Sequence, residues 1–167
     1  MRAIEGADPA TFRLLASGYA KDARNVFFEG DRFAVRDVAS FELLDYGFAR
    51  DRVTGYYHEG PVEGSEGTAF TVVDSHHAKD RARAFYATLE PAHPRPLVRT
   101  KPLHGADVAT IASLGGRYVK DAKRVWYEGE PVLNADAASF ETLSPPVDGA
   151  DVRDVRARFR DGVRIGP

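Results

Sequence analysis

Aromatic residues come in adjacent pairs along the chain, Phe27-Phe28, Tyr56-Tyr57, Phe85-Tyr86 and Trp126-Tyr127, each pair beginning five residues after an aspartate. Such pairs favour strands, and neighbouring strand residues point to opposite faces. One ring of each pair therefore faces the core, and the other meets a neighbouring unit, a cross-strand partner or an outer surface. A cross-strand aromatic pair contributes roughly 0.2–1 kcal/mol, so structure alone accounts for the rings. Ahead of the pairs runs an aromatic-small-basic-aspartate step, as in Tyr19-Ala20-Lys21-Asp22. The aspartate reads as a turn former that accepts hydrogen bonds from nearby backbone amides. The cations before it, Lys21, Arg50, Lys79 and Lys120, read as strand-edge charges that block edge-to-edge pairing.

The pattern is periodic. Asp22, Asp51 and Asp80 are 29 residues apart, and Asp121 follows 41 later, 12 more than the period. A second acidic column, Asp8, Asp37, Glu66, Asp107 and Asp136, repeats these separations, and its first four members each precede an aspartate of the first column by 14 residues. Such a period marks a repeat architecture, in which a unit buries its apolar face only against neighbours. In Ala7-Asp8-Pro9 the acid sits at a helix N-cap and proline at the first helical position. A short helical turn is predicted there and at the equivalent acids. Phe12, Phe41, Phe70, Ile111 and Phe140, four residues after the acids, read as inward plugs. The stretch from Phe41 to Arg50 is long enough for one strand of about nine residues.

The predicted fold is α+β, mainly β, built from tandem repeats of a β-hairpin plus a short helical turn. About four units lie near residues 18–46, 47–75, 76–116 and 117–146, with a half unit at 4–17, a C-terminal cap at 147–167 and a 12-residue insertion in the third unit, all in one domain, 1–167. The insertion, between Tyr86 and Asp107, contains Pro91, Pro94, Pro96 and Pro102 with Arg95, Arg99 and Lys101. It reads as a proline-stiffened basic loop, and insertions in repeat proteins map to loops on one face, often the binding face. That makes His93, Arg95, Arg99, Lys101 and Tyr86 the candidate partner-binding residues; the plain alternative is a tolerated surface insertion. At the other irregular place, Pro145-Pro146 ends the register, Arg153 to Arg164 carries five arginines, and Phe159 to Val163 reads as a final hairpin turn.

Charge and composition narrow the function classes. With 167 residues and 43% apolar content the chain can bury a sizeable core. Its 23 basic and 25 acidic residues are interspersed, so no field argues for nucleic acid or an anionic membrane. No apolar run approaches the roughly 18–20 residues of a membrane span. The absence of cysteine removes disulfides, thiolate metal sites and thiol nucleophiles. His58, His76, His77, His93 and His104 form no zinc-protease pair with a glutamate. His76 and His77, adjacent on a strand, point to opposite faces, which counts against shared ligation. Gly60, Gly64 and Gly67 fall where turns are needed. Ser40 and Ser139 occupy equivalent repeat positions, and the recurring aspartates single out no carboxylate pair for hydrolysis. No catalytic residue, metal site or cofactor is expected.

The steps Tyr19-Ala20-Lys21-Asp22 with Phe27-Phe28, Phe48-Ala49-Arg50-Asp51 with Tyr56-Tyr57, and Tyr118-Val119-Lys120-Asp121 with Trp126-Tyr127 resemble those of the DKNYY family of bacterial repeat proteins. The resemblance spans roughly residues 4 to 146, and the third copy departs from it, with His77 in place of the leading aromatic. It implies a repeat fold, often in an exported or envelope-associated protein, and no catalytic residues to carry over. Ile4 to Pro9 match the middle of a unit. The array is therefore expected either to open on a half unit, which points to the cytoplasm, or to have an export signal ahead of it, which points to the bacterial envelope or periplasm. The function expected is a non-catalytic protein-interaction module, such as an immunity or inhibitor protein for a toxin or enzyme. The alternative is an envelope carbohydrate-binding, peptidoglycan-binding or hydrolytic module that uses surface aromatics.

Overall fold

A computed structural model describes residues 4–167, so the start of the one-domain expectation, Met1 to Ala3, lies outside the described residues. The fold is nearly all β, with five four-stranded antiparallel sheets, each a meander of consecutive strands. The first comprises Arg13–Leu14, Tyr19–Lys21, Val26–Phe28 and Asp31–Phe33; the others occupy residues 42–62, 71–102, 112–131 and 141–166. The predicted hairpin is the middle pair of each sheet, flanked on both sides by an edge strand. Each sheet takes its first strand from the end of the unit expected before it. Residues of the 4–17 half unit and the 147–167 cap thus complete the first and fifth sheets.

Two local expectations are corrected. The single strand from Phe41 to Arg50 is two strands, because the chain reverses at Asp45–Gly47, where Tyr46 and Gly47 take φ of 56° and 82°. Glu42 consequently pairs with Arg50 in the antiparallel ladder. The helical turns also shrink, since the few residues between acid and plug are too short to nucleate a helix. Asp8 and Asp107 open single hydrogen-bonded turns, and one equivalent, Gly67–Ala69, is a 3-10 helix.

The two acidic columns are in direct contact, which explains their constant spacing. Asp22 Oδ1 accepts the backbone N–H groups of Arg24 and Asn25 at 2.7 and 2.6 Å, while Oδ2 accepts that of Asp8 at 2.9 Å. Asp51, Asp80 and Asp121 hold the same three amides of their own copies, reaching back to Asp37, Glu66 and Asp107 at 2.8, 2.9 and 2.8 Å. Asp154 does likewise in the fifth sheet, with Asp136 at 2.7 Å. The aspartate is therefore a clasp that closes its own turn and ties down the connection entering the sheet. The Asp8 amide above all, then the amides of Arg24 and Asn25, lower the Asp22 carboxyl to about 2 against the opposing effect of burial.

The cations before the aspartates do not guard sheet edges. Lys21 Nζ donates to the carbonyls of Val38 and Phe41 at 2.8 and 3.1 Å, and Lys120 Nζ to those of Ala137 and Phe140 at 2.9 and 3.0 Å. Arg50 and Lys79 reach Phe70 and Val108 in the same way. Each cation caps the plug turn of the next sheet. Between consecutive sheets lie the apolar clusters: Tyr19, Val26, Phe41 and Tyr56 join the first two, Phe48, Phe70 and Phe85 the next, Tyr86, Ile111 and Trp126 the third and fourth, and Tyr118, Phe140 and Phe159 the last two. Both rings of the second, third and fourth aromatic pairs are used in this way, one toward the preceding sheet and one toward the following, while Phe27 of the first pair packs on Phe12, their ring centroids 6.0 Å apart.

A cleft beneath the third-sheet hairpin

Where the first, second and fourth sheets end in strands of three residues or fewer, the third carries a long hairpin, Ala84–Glu90 paired with Leu97–Pro102. The expected loop is therefore mostly strand. Thr88, Val98 and Thr100 favour the pleated conformation, Arg99 Nε bridges to Glu90 Oε2 at 2.9 Å across the ladder, and only residues 91–96 form the tip. Pro102 is tolerated because it ends an edge strand.

The hairpin leans over the second sheet and reaches the first. Val98 packs so closely on Gly60 that a Cβ there would lie 2.5 Å from Val98 Cγ1. At the tip, Arg95 forms an ion pair with Asp31, in the edge strand of the first sheet. Beneath it lies a cleft of about 150 Å³. Phe28 and His58, their ring centroids 5.4 Å apart, form one wall; Leu89 and Pro96 form the other, and Glu29, Glu59 and Arg95 line the mouth. Burial lowers the His58 pKa, opposed by the Glu59 and Glu29 charges. The Asp31 hydrogen bond and charge raise that of Arg95, and Glu29 and Glu59 add to the effect. Three carboxylates thus surround one guanidinium.

Of the predicted partner-binding residues, four are exposed along the hairpin and one is buried. His93 is exposed at the tip, Arg95 engages Asp31 and Arg99 engages Glu90. Lys101 Nζ reaches Glu130 Oε1 of the fourth sheet at 2.8 Å. Tyr86, expected at a binding surface, is instead 3% exposed and packed between the third and fourth sheets. Sequence reasoning missed the cleft's other wall. Glu29-Gly30 signalled only a turn, and Asp31 lies 64 residues from Arg95.

A second polar cluster joins the third and fourth sheets. His77 Nδ1 lies 2.8 Å from Asp74 Oδ1, and Ser113 Oγ donates to Asp74 Oδ2 at 2.5 Å. The carboxylate is therefore in the middle, whereas nucleophilic catalysis requires the imidazole between hydroxyl and carboxylate. His77 Nε2 is buried without a hydrogen-bond partner in the described structure. No group of three or more His, Asp or Glu side chains is placed to hold a metal among the described residues, nor is any helix there long and apolar enough to cross a membrane.

Five meanders stacked in chain order, each closed by the same aspartate clasp, define a tandem β-repeat protein. The DKNYY family profile matches residues 19–154, and the chain belongs to the DKNYY family. Neither the curated proteins nor the solved structures compared with it match the chain.

Proposed function

We propose that this protein is a non-catalytic protein-interaction module whose recognition element is the third-sheet hairpin, in the manner of an immunity or inhibitor protein that binds a bacterial toxin or enzyme. The observation that carries the reading is the exposed tip, residues 91–96, of the long third-sheet hairpin. The recurring polar groups are consumed internally: clasp aspartates hold backbone amides, and the cations hold carbonyls of the next sheet. The aromatic pairs offer little platform for stacking sugars, since Tyr57 and Tyr86 are 5% and 3% exposed, so the carbohydrate reading has no support from them. Three prolines in residues 91–96 reduce the entropy lost when a partner fixes the tip.

The test replaces residues 91–96 with Asn-Gly, a two-residue turn that keeps the flanking ladder, and compares co-purification of the natural partner from the source cell. Loss of that partner is expected, with the melting temperature lowered by no more than about 2–4 °C, the most that loss of the exposed Arg95–Asp31 pair accounts for. Retained binding would remove the hairpin from the interface.

A further inference from the structure

We propose that the cleft between the first and second sheets is a receptor for a proline-flanked arginine on a partner protein, and that Arg95 and Pro96 of the chain's own hairpin, which line it, hold that place until displaced. The proposal rests on the interaction reading above, and the seated segment supplies its chemistry. The guanidinium meets Asp31 directly, and Glu29 and Glu59 add negative potential from the turns of two different sheets. Arginine suits such a site because its planar fork offers several donors to carboxylates at once. Phe28 and His58 give aromatic lining, and Leu89 and Pro96 give aliphatic lining suited to the proline beside an incoming arginine.

The seated arginine is also exchangeable. The side chains of Arg95 and Asp31 are 53% and 59% exposed, and an ion pair so open to solvent holds weakly. A partner arginine can therefore take the place of Arg95, and doing so releases the tip. Displacement would thus leave the already exposed tip free to reorient as the cleft is filled.

The experiment titrates acetyl-His-Pro-Arg-Pro-Leu-amide into isotope-labelled Arg95→Ala protein and follows amide resonances. Saturable shifts at Phe28, Glu29, His58 and Glu59 are expected, with binding about tenfold tighter than to the wild type, whose tethered arginine competes. The same peptide with citrulline for arginine keeps the shape without the charge, and should lose the interaction. So should Arg95→Ala protein that also carries Asp31→Asn and Glu59→Gln. No saturable shift in Arg95→Ala, or citrulline binding as well as arginine, would overturn the proposal. The titration needs no natural partner, so its failure is separable from failure of the hairpin exchange.

Discussion

Replacing Asp51 by asparagine tests the clasp at the copy where a buried tyrosine hydroxyl joins the three amides. Asp51 is 2% exposed and accepts four hydrogen bonds: Oδ1 takes the amides of Val53 and Thr54 at 2.8 and 2.9 Å, and Oδ2 takes the Asp37 amide at 2.8 Å and the Tyr56 hydroxyl at 2.7 Å. Asparagine preserves the shape but has one acceptor oxygen. With that oxygen on the turn amides, its NH₂ faces two donors, and the Tyr56 hydroxyl already accepts the Arg36 amide. Hydrogen bonds to a charged group contribute about 1.5–3 kcal/mol each; with partial rehydration of the Asp37 amide, the expected loss is about 2–4 kcal/mol. Urea unfolding followed by circular dichroism, with unchanged slope, measures it. Asp80→Asn should cost less, because Phe85 stands where Tyr56 supplies its hydroxyl. The pH dependence has a fixed sign. The Asp51 pKa is lowered, since its hydrogen bonds, Tyr56 first, outweigh the opposing burial. Its contribution is therefore present above the unfolded value of about 3.9 and is lost as pH falls through the folded one. A loss below about 1 kcal/mol at neutral pH, or one that persists undiminished in acid, would refute the clasp as an energetic element.

Three further outcomes follow from the same structure. His77→Phe keeps the packing and removes the unpartnered Nε2, but it loses the Nδ1 bond to the Asp74 carboxylate, at an expected cost of about 1.5–3 kcal/mol, whereas His77→Ala should cost about 2–5 kcal/mol more by opening a cavity; thermal unfolding of both decides this. Lys21→Met keeps the buried stem but leaves the Val38 and Phe41 carbonyls without their donor, at an expected cost of about 1–3 kcal/mol in urea unfolding. Acid unfolding should set in below about pH 4 and progress toward pH 2, because the Asp22 and Asp74 carboxyls both titrate at about 2 when folded and higher when unfolded; a stability flat across that window would contradict the assignment.

The repeat was legible because its period is carried by residues whose jobs recur: the clasp acid, the capping cation, the plug and the ring pair. Edge strands were not legible. Two-residue segments such as Arg13–Leu14 and Glu42–Leu43 are too short to display an alternating pattern, and their pairing is set by the turns beside them. Asp154 escaped the clasp column because it follows Asp136 by 18 residues, not 14, after the two prolines at 145 and 146. The step Arg153-Asp154 was the available signal. The cations were misread because their acceptors lie 17 to 20 residues ahead for Lys21 and Lys120, in another sheet, and backbone carbonyls leave no mark on composition. The cleft depends on a contact that skips a whole sheet, which no local pattern encodes.

That skipping contact also alters how the array comes apart. In a stack held only by adjacent neighbours, each sheet can fray from an end at the cost of one interface. Arg95 ties the third sheet to the first across the second, and Val98 rests on Gly60 along the way. The first and third sheets thereby gain a direct link worth at most about 1 kcal/mol, which the fourth and fifth, joined only in series, do not have. Native-state hydrogen exchange would show this as a small excess, at most about 1 kcal/mol, in the opening free energy of the first sheet, lost when the Arg95 contact is removed.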